Sequence, residues 1–562
     1  MTEILIGIQK RVFPFRGIVS CMRFAAFVVV SLWGFACPVD IRAGAPRPES
    51  SLIASEEDQS GTVTGIVFED ANRNLKWDRG EKGVAGVLVS NQQEVVRTDR
   101  KGRYTLPVGE ETVIFITRPA GYAAPLNEDN LPRFYYIHQP LGSPPLTYPG
   151  VTPAGHLPEE VNFPLFRTAK SKAFQVLVFG DTQPASHEDL DFFRDDVVAE
   201  VVGLNASFGV TLGDVVWDDL DLYDRYKDLI SQIGIPFYHV PGNHDMNYDA
   251  QNDRHALETF KRHFGPSYYS FDYGQVHFVV LDDVEFLGRD ENGSVHYRGM
   301  IGERQLRWLA NDLQLVPEKN LVVLAMHIPL YQDRETGDVD RVGDLERLLQ
   351  LLEERKRVLA LAAHMHTIRH SYFELEEGWR GRAPLHQIVC GAVCGSWWGG
   401  PRDERGIPIS DQTDGAPNGY YTFSFKGNTY QAVFHAAGKG SEYQLRIASP
   451  MGKLSVAGLD TSRIIVNVFD GSERSVVEYQ LDGGDFIPMV RTVMKDPLLE
   501  RMYLEYQEQF RRWATPGLCY HIWTAGMPTG LAPGGHKIIV RTRDQYGQVY
   551  EGARVFEIEG VR

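Results

Sequence analysis

Cysteine is scarce in the 562-residue sequence. Beyond residue 45 only Cys390, Cys394 and Cys519 remain, too few for a disulfide framework, so the fold must rest on apolar burial. Cys390 and Cys394 can be read as a pair in an oxidising compartment or as two small residues in a tight apolar turn. A basic excess is missing too: 57 Lys and Arg stand against 74 Asp and Glu, a formal charge of −17. With no arginine-rich tract, bulk electrostatic binding of nucleic acid is not expected. Long apolar runs are also lacking. The run Phe24 to Ala36 is too short for a confident membrane span. It follows Lys10, Arg11, Arg16 and Arg23 and precedes Ala43-Gly44-Ala45, which is the pattern of a secretory signal peptide over residues 1–45, with Met22 as an alternative start. The expectation is a secreted or periplasmic protein of a bacterial envelope with no transmembrane span when mature. Lipid attachment at Cys37 is the less favoured reading, because Phe35 suits that pattern poorly.

The length requires several cores, three or four by size. Residues 46–60 are polar and rich in Pro and Ser, as in a linker. Short alternating strands follow over 61–122: Gly61 to Phe68, Val87 to Val89, Val95 to Thr98, Gly102 to Leu106 and Thr112 to Thr117. Short strands separated by turn residues predict a small β-sandwich. Within it, Asp70, Asn72, Asn74, Asp78 and Glu81 occupy the first, third, fifth, ninth and twelfth positions of a twelve-residue loop, with the Lys76 carbonyl at the seventh. That spacing wraps hard oxygen ligands around calcium, although Leu75 stands where glycine normally makes the sharp turn. A solvated polar loop is the plainer alternative. The stretch also resembles the B-type β-sandwich repeats of bacterial surface proteins, which implies a stabilising spacer. Residues 123–170, rich in Pro, Gly and Tyr, read as a connector.

From residue 171 to 437 the pattern becomes α/β. Apolar strands Phe174 to Phe179, Gly209 to Leu212, Ile235 to Val240, Leu321 to Ala325 and Val358 to Ala363 alternate with amphipathic helices. Each strand ends in residues suited to ligation: Asp181 and Gln183; Asp214; Asn243, His244 and Asp245; His327; His364 and His366. One such end means little. Five in strand order converge on one edge of a sheet and supply what two adjacent divalent ions need: a carboxylate able to bridge, imidazoles and amide oxygens. Manganese, iron and zinc all suit this donor set.

The order of these motifs, with Gly242-Asn-His-Asp245 among the more specific, resembles the calcineurin-like metallophosphoesterases. The resemblance implies a four-layer α/β/β/α domain that hydrolyses phosphate monoesters or diesters. It implies that Asp181, Gln183, Asp214 and His366 hold one metal and that Asp214, Asn243, His327 and His364 hold the other. In the same family reading, His244 stabilises the developing charge or protonates the leaving oxygen, and Asp245 orients it. Gln183 departs from the usual Asp-x-His, and Ala363 from the usual Gly. The small-molecule or polymeric ester, its class and the oligomeric state stay open.

Gly395-Ser-Trp397-Trp398-Gly-Gly400 reads either as an aromatic wall of the cleft, able to stack on a base or sugar, or as buried aromatics at a domain interface. Residues 441–562 return to β patterning and predict a second β-sandwich, with helical character only around 497–513. Together the parts resemble secreted bacterial metallophosphoesterases that carry a β-domain at each end. The alternative function is a cell-envelope binding or adhesion protein that keeps the fold with little turnover.

Overall fold

The computed structural model describes residues 61–330 and 341–560. The expected signal peptide over 1–45, Cys37 within it, and the linker over 46–60 lie outside the described residues.

Two mixed sheets face each other in the middle of the chain. The first has the order Phe237–Val240, Phe208–Leu212, Ala173–Phe179, Gly419–Lys426, Thr429–Ala436; its first three strands are parallel and its last two form a hairpin. The second runs Tyr269–Tyr273, Val276–Val280, Leu321–Ala325, Val358–Ala362, Leu385–Cys390, Ile368–Phe373, with the four inner strands parallel. Side-chain alternation explains the stacking. In Ala173–Phe179, Val176 and Val178 enter the core between the sheets, whereas Leu177 and Phe179 pack under the outer helices. Phe208 of one sheet meets Phe278 of the other edge to face at 5.3 Å. Helices His187–Phe193 and Tyr223–Ser231 cover the first sheet through Leu190, Phe193, Tyr223 and Tyr226. Helices Glu303–Leu315 and Leu345–Leu352 cover the second through Trp308, Leu309, Leu348 and Leu352. Strands covered on both faces are apolar throughout, and Leu321–Ala325 and Val358–Ala362 are buried at every residue. The fold is the expected α/β/β/α layering with sheet-rich regions at either end.

In the N-terminal region Gly61–Glu69 pairs with Arg103–Val108 and, in parallel, with Phe163–Arg167. A second sheet joins Val95–Arg97, Leu88–Ser90, Thr112–Thr117 and Tyr135–His138. Residues 123–170 are therefore more than the expected connector, because they contribute a strand to each sheet. Those strands have only four and five residues, too short for alternation to stand out among the prolines.

At the C-terminal end two further sheets enclose Ile464, Val466, Trp523, Val540 and Phe556. The expected helix is Pro497–Tyr506, started by the Asp496 carboxylate, which accepts from the Leu498 and Leu499 amides, and followed by a 3-10 turn at Gln507–Gln509. This region is tied to the central one by polar contacts, among them Arg446 with Asp411 at 2.6 Å and His521 with Asp414 at 3.0 Å. Among the described residues no helix is long and apolar enough to cross a membrane.

Candidate metal centre

Parallel strands bring their C-terminal ends to one edge, where loops leave the sheet. Asp181, Asp214, Asn243, His327 and His364 each follow a strand within three residues. The turns are tight. Gln183, Asp214, His364 and His366 all take positive φ, at 36°, 48°, 68° and 49°. Non-glycine residues adopt this region at a cost, and such strain gathers at functional sites. Gly242 is required by close approach: a Cβ there would lie 2.2 Å from the Asp214 amide nitrogen and carboxylate.

The side chains converge. His327 Nε2 lies 3.0 Å from Asn243 Oδ1, 3.1 Å from His364 Nδ1 and 3.3 Å from Asp214 Oδ1. Asp214, His327 and His364 present ligand atoms within 4.8 Å of one another. His327 donates its Nδ1 proton to the Leu212 carbonyl at 2.8 Å, and His366 does the same to Gly395 at 2.6 Å. Each bond fixes a tautomer with Nε2 as the acceptor, the arrangement of a metal-ligating histidine. His366 Nε2 is 4.0 Å from Asp181 Oδ1. Buried acceptors facing acceptors need a positive charge between them, so the donor set fits divalent cations.

The electrostatics show the same need. Burial raises Asp181 to about 7. Asp214 is equally buried, yet the charges of His327, His244 and His364 hold it below the usual carboxylate range. Burial works against protonating His327, but Asp214 outweighs it and pushes the imidazole up to about 10. His366 is driven down to about 3 by burial, which keeps its ring neutral.

One expected role is corrected. Asp245 does not hold His244. It is fully buried, and its carboxylate accepts from the Gly242 amide at 2.8 Å, the Val215 amide at 3.1 Å and the Tyr223 hydroxyl at 2.9 Å. It ties the 242–245 turn to the neighbouring loop. The carboxylate on His244 is Asp218, 2.6 Å from Nδ1, with Tyr248 Oη at 3.4 Å. Adjacency in sequence misleads here because Asn243–Asp245 is a turn of 3-10 helix, in which successive side chains point apart. Gln183 lies against the Asp214 carboxylate. Its Nε2 donates to Asp214 Oδ2 at 3.1 Å, and its Oε1 faces the Cys394 thiol at 3.8 Å. It braces the Asp214 carboxylate.

The tryptophans divide. Trp398 is buried, donating to the Thr182 carbonyl at 3.0 Å, so it is structural and does not line a cleft. Trp397 stacks on the His366 ring at 3.9 Å. It belongs to a trio that sequence reasoning missed. Trp217 lies 5.0 Å from the His244 ring, 6.4 Å from Trp397 and 5.1 Å from Trp513. Trp513 comes from the C-terminal region, and no local signal links it to the site. Asp218 and Trp217, by contrast, follow Gly213-Asp214 directly, as the other site residues follow their strands. Cys390 and Cys394 are buried free thiols, as in the apolar-turn reading.

Sequence models of one family match in succession: the N terminal of calcineurin-like phosphoesterase over residues 72–145, calcineurin-like phosphoesterase over 174–367, and its C terminal over 388–550. The chain belongs to the calcineurin-like phosphoesterase family. Within it, the chain is 29% identical over 171 residues to a protein named probable glycerophosphodiester phosphodiesterase GpdQ from Arcobacter nitrofigilis, covering 30% of this chain and 59% of that one. It is 24% identical over 259 residues to acid phosphatase type 7 of Homo sapiens, covering 41% and 57%. The chain thus spans less than two thirds of the length of these relatives. A solved purple acid phosphatase, PPD1 from Lupinus luteus, aligns over 89% of this chain and 69% of its own at 11% identity and a TM-score of 0.29.

At the other end of the phosphoesterase, the 70–81 loop closes on itself. Asn72 and Asn74 donate to Asp78 Oδ2 at 2.8 and 2.7 Å, and Asp70 accepts from the Arg73 and Leu75 amides at 2.6 and 2.8 Å. Glu81 accepts from the Ala71 and Asp78 amides, both at 3.0 Å. Lys76 donates its amide to Asn74 Oδ1 at 2.9 Å. Leu75 takes φ 64°, the conformation glycine usually supplies.

Proposed function

We propose that this calcineurin-like phosphoesterase hydrolyses phosphate esters, monoesters or diesters, at a dinuclear metal centre. One observation carries the reading: Asp214, Asn243 and His364, from three strand ends, all lie within 3.3 Å of His327 Nε2 at a fourth, and Asp181 and His366 face each other beside them at 4.0 Å. Asp181, Asp214 and His366 would hold one ion and Asp214, Asn243, His327 and His364 the other, with Gln183 orienting Asp214. Divalent ions at such a site neutralise phosphoryl oxygens and acidify water. The chain's own residues do the rest. Asp218 holds the His244 ring through Nδ1, which leaves Nε2 to give a proton to the departing oxygen. Trp217 beside that ring, with Trp397 and Trp513, forms an apolar wall where a flat leaving group can stack. The relatives' names include a phosphodiesterase and a phosphatase, so both ester classes belong in the test. Purified protein should contain about two divalent ions per chain, of manganese, iron or zinc, and should hydrolyse p-nitrophenyl phosphate or its bis ester. Metal retained with neither ester cleaved would favour the envelope-binding alternative, and absence of metal would remove the proposal.

The 70–81 loop we read as a structural calcium site, and secretion as the route by which it meets calcium. Millimolar calcium should then raise the melting temperature of the wild type and leave that of Asp78→Ala unmoved. An equal shift in both proteins would assign the effect elsewhere.

A further inference from the structure

The opposite edge of the central sheets carries a second, differently built cavity of about 890 Å³ between the phosphoesterase core and the C-terminal sandwich. Five cations line it: Lys356, Arg357, Arg382, Arg474 and Arg543. All five are exposed, and none makes an ion pair among the described residues. In a chain with a formal charge of −17, five unpaired cations around one cleft stand against the composition. The one carboxylate among the lining residues, Asp544, is taken up by its own loop. It accepts from the Tyr546 and Gln548 amides at 2.8 Å each and from Gln548 Nε2 at 3.0 Å.

The floor is polar and incomplete. The Tyr372 and Tyr546 hydroxyls and the Gln545 amide nitrogen are buried with no well-aligned hydrogen bond, although Ser472 lies beside the first hydroxyl and Gln545 beside the second. The Arg474 guanidinium carbon lies over the Tyr372 ring, 3.5 Å from its centroid, which fixes it without neutralising it. Lys356 and Arg357 directly precede the strand Val358–Ala362, whereas His364 follows it. At ~3.3 Å per residue, a five-residue strand separates the two ends by roughly 15 Å, so the cleft is distinct from the metal centre.

We propose that this cleft binds a compact polyanion bearing two or more phosphate or sulfate groups. Guanidinium groups match tetrahedral oxyanions in pairs. A single oxyanion would engage only some of the five cations, and the poorly aligned hydroxyls suit the hydroxyl or ester oxygens of a carrier. The inference is independent of the catalytic reading. Isothermal titration of the full-length protein with inositol hexasulfate, which no phosphoesterase consumes, tests it. One site per chain is expected, weakening as salt rises. The double variant Arg474→Ala/Arg543→Ala should lose about tenfold or more in affinity, Arg474→Lys/Arg543→Lys should recover part of it, and ester hydrolysis should be unchanged in both. Asp214→Asn, which disrupts the metal centre, should bind the probe like the wild type. No saturable binding, an unaffected arginine variant, or loss confined to Asp214→Asn would overturn the proposal, the last by placing the anion at the metal centre.

Discussion

The two ends of the same parallel strands have opposite characters. At the C-terminal ends, carboxylates and imidazoles are buried, face one another and need a cation. At the N-terminal ends, guanidinium groups are exposed, line an open cleft and need an anion. Both ends border the same apolar strands, so the difference lies in the loops. Those at the metal end are short turns with left-handed residues that aim side chains inward. Those at the cation end come from four distant segments, Lys356–Arg357, Arg382, the Arg474 turn and the end of the strand Gly534–Arg543, and meet only because the C-terminal sandwich docks there. The comparison teaches that a site built by one turn after each strand can be read along the chain, whereas a site built by docking cannot.

The largest test of that contrast is His244→Ala. It should cut turnover by ~10²–10⁴-fold while metal content and inositol hexasulfate binding stay as in the wild type. Loss of metal would show His244 to be a ligand. Next come the two carboxylates around the turn. Asp218→Ala should lower turnover by about tenfold or more with little change in melting, since its side chain is partly exposed. Asp245→Ala leaves two amides and a tyrosine hydroxyl unpaired in the core, and should destabilise by ~3 kcal/mol. If Asp245→Ala instead spared stability and removed turnover, the revised assignment would fail.

A smaller effect is expected from Trp513→Ala, which should raise KM for aryl esters about fivefold, near 1 kcal/mol, with kcat little changed. An equal effect on a small aliphatic ester would argue against stacking.

The smallest effect belongs to the far end of the second sheet. There His277 sits between Asp272 at 2.9 Å and Asp312 at 2.7 Å, closed on both nitrogens where the metal-site histidines stay open. Burial opposes its protonation, but Asp312 and then Asp272 raise it from 6.5 to about 10. A group raised on folding adds stability that is complete below its unfolded value and lost as pH climbs through the folded one. Melting temperature should therefore fall between about pH 6.5 and 10, and His277→Gln should flatten that slope. A slope unchanged in the variant would assign it to other groups.

Much of this could be read along the chain. Apolar runs mark the central strands within one or two residues, since a sheet covered on both faces must be apolar throughout. The metal-site residues are legible because each closes a strand. Other features were hidden for physical reasons. The strands Tyr135–His138 and Phe163–Arg167 are too short to show a period. Trp398 and Trp397 are neighbours with opposite fates, one buried under the first sheet and one on the His366 ring.

The sequence alone determined the layered α/β core, the order of strand ends and the kinds of atoms gathered there. These follow from local rules of burial, periodicity and turn chemistry, which act over a few residues. Only the tertiary structure decided which carboxylate meets His244, that Gln183 braces Asp214, that Trp513 completes the aromatic wall, and that five scattered cations share one cleft. Those depend on the direction of side chains leaving strained turns and on how separate sheets dock. Both are set by packing between segments tens to hundreds of residues apart.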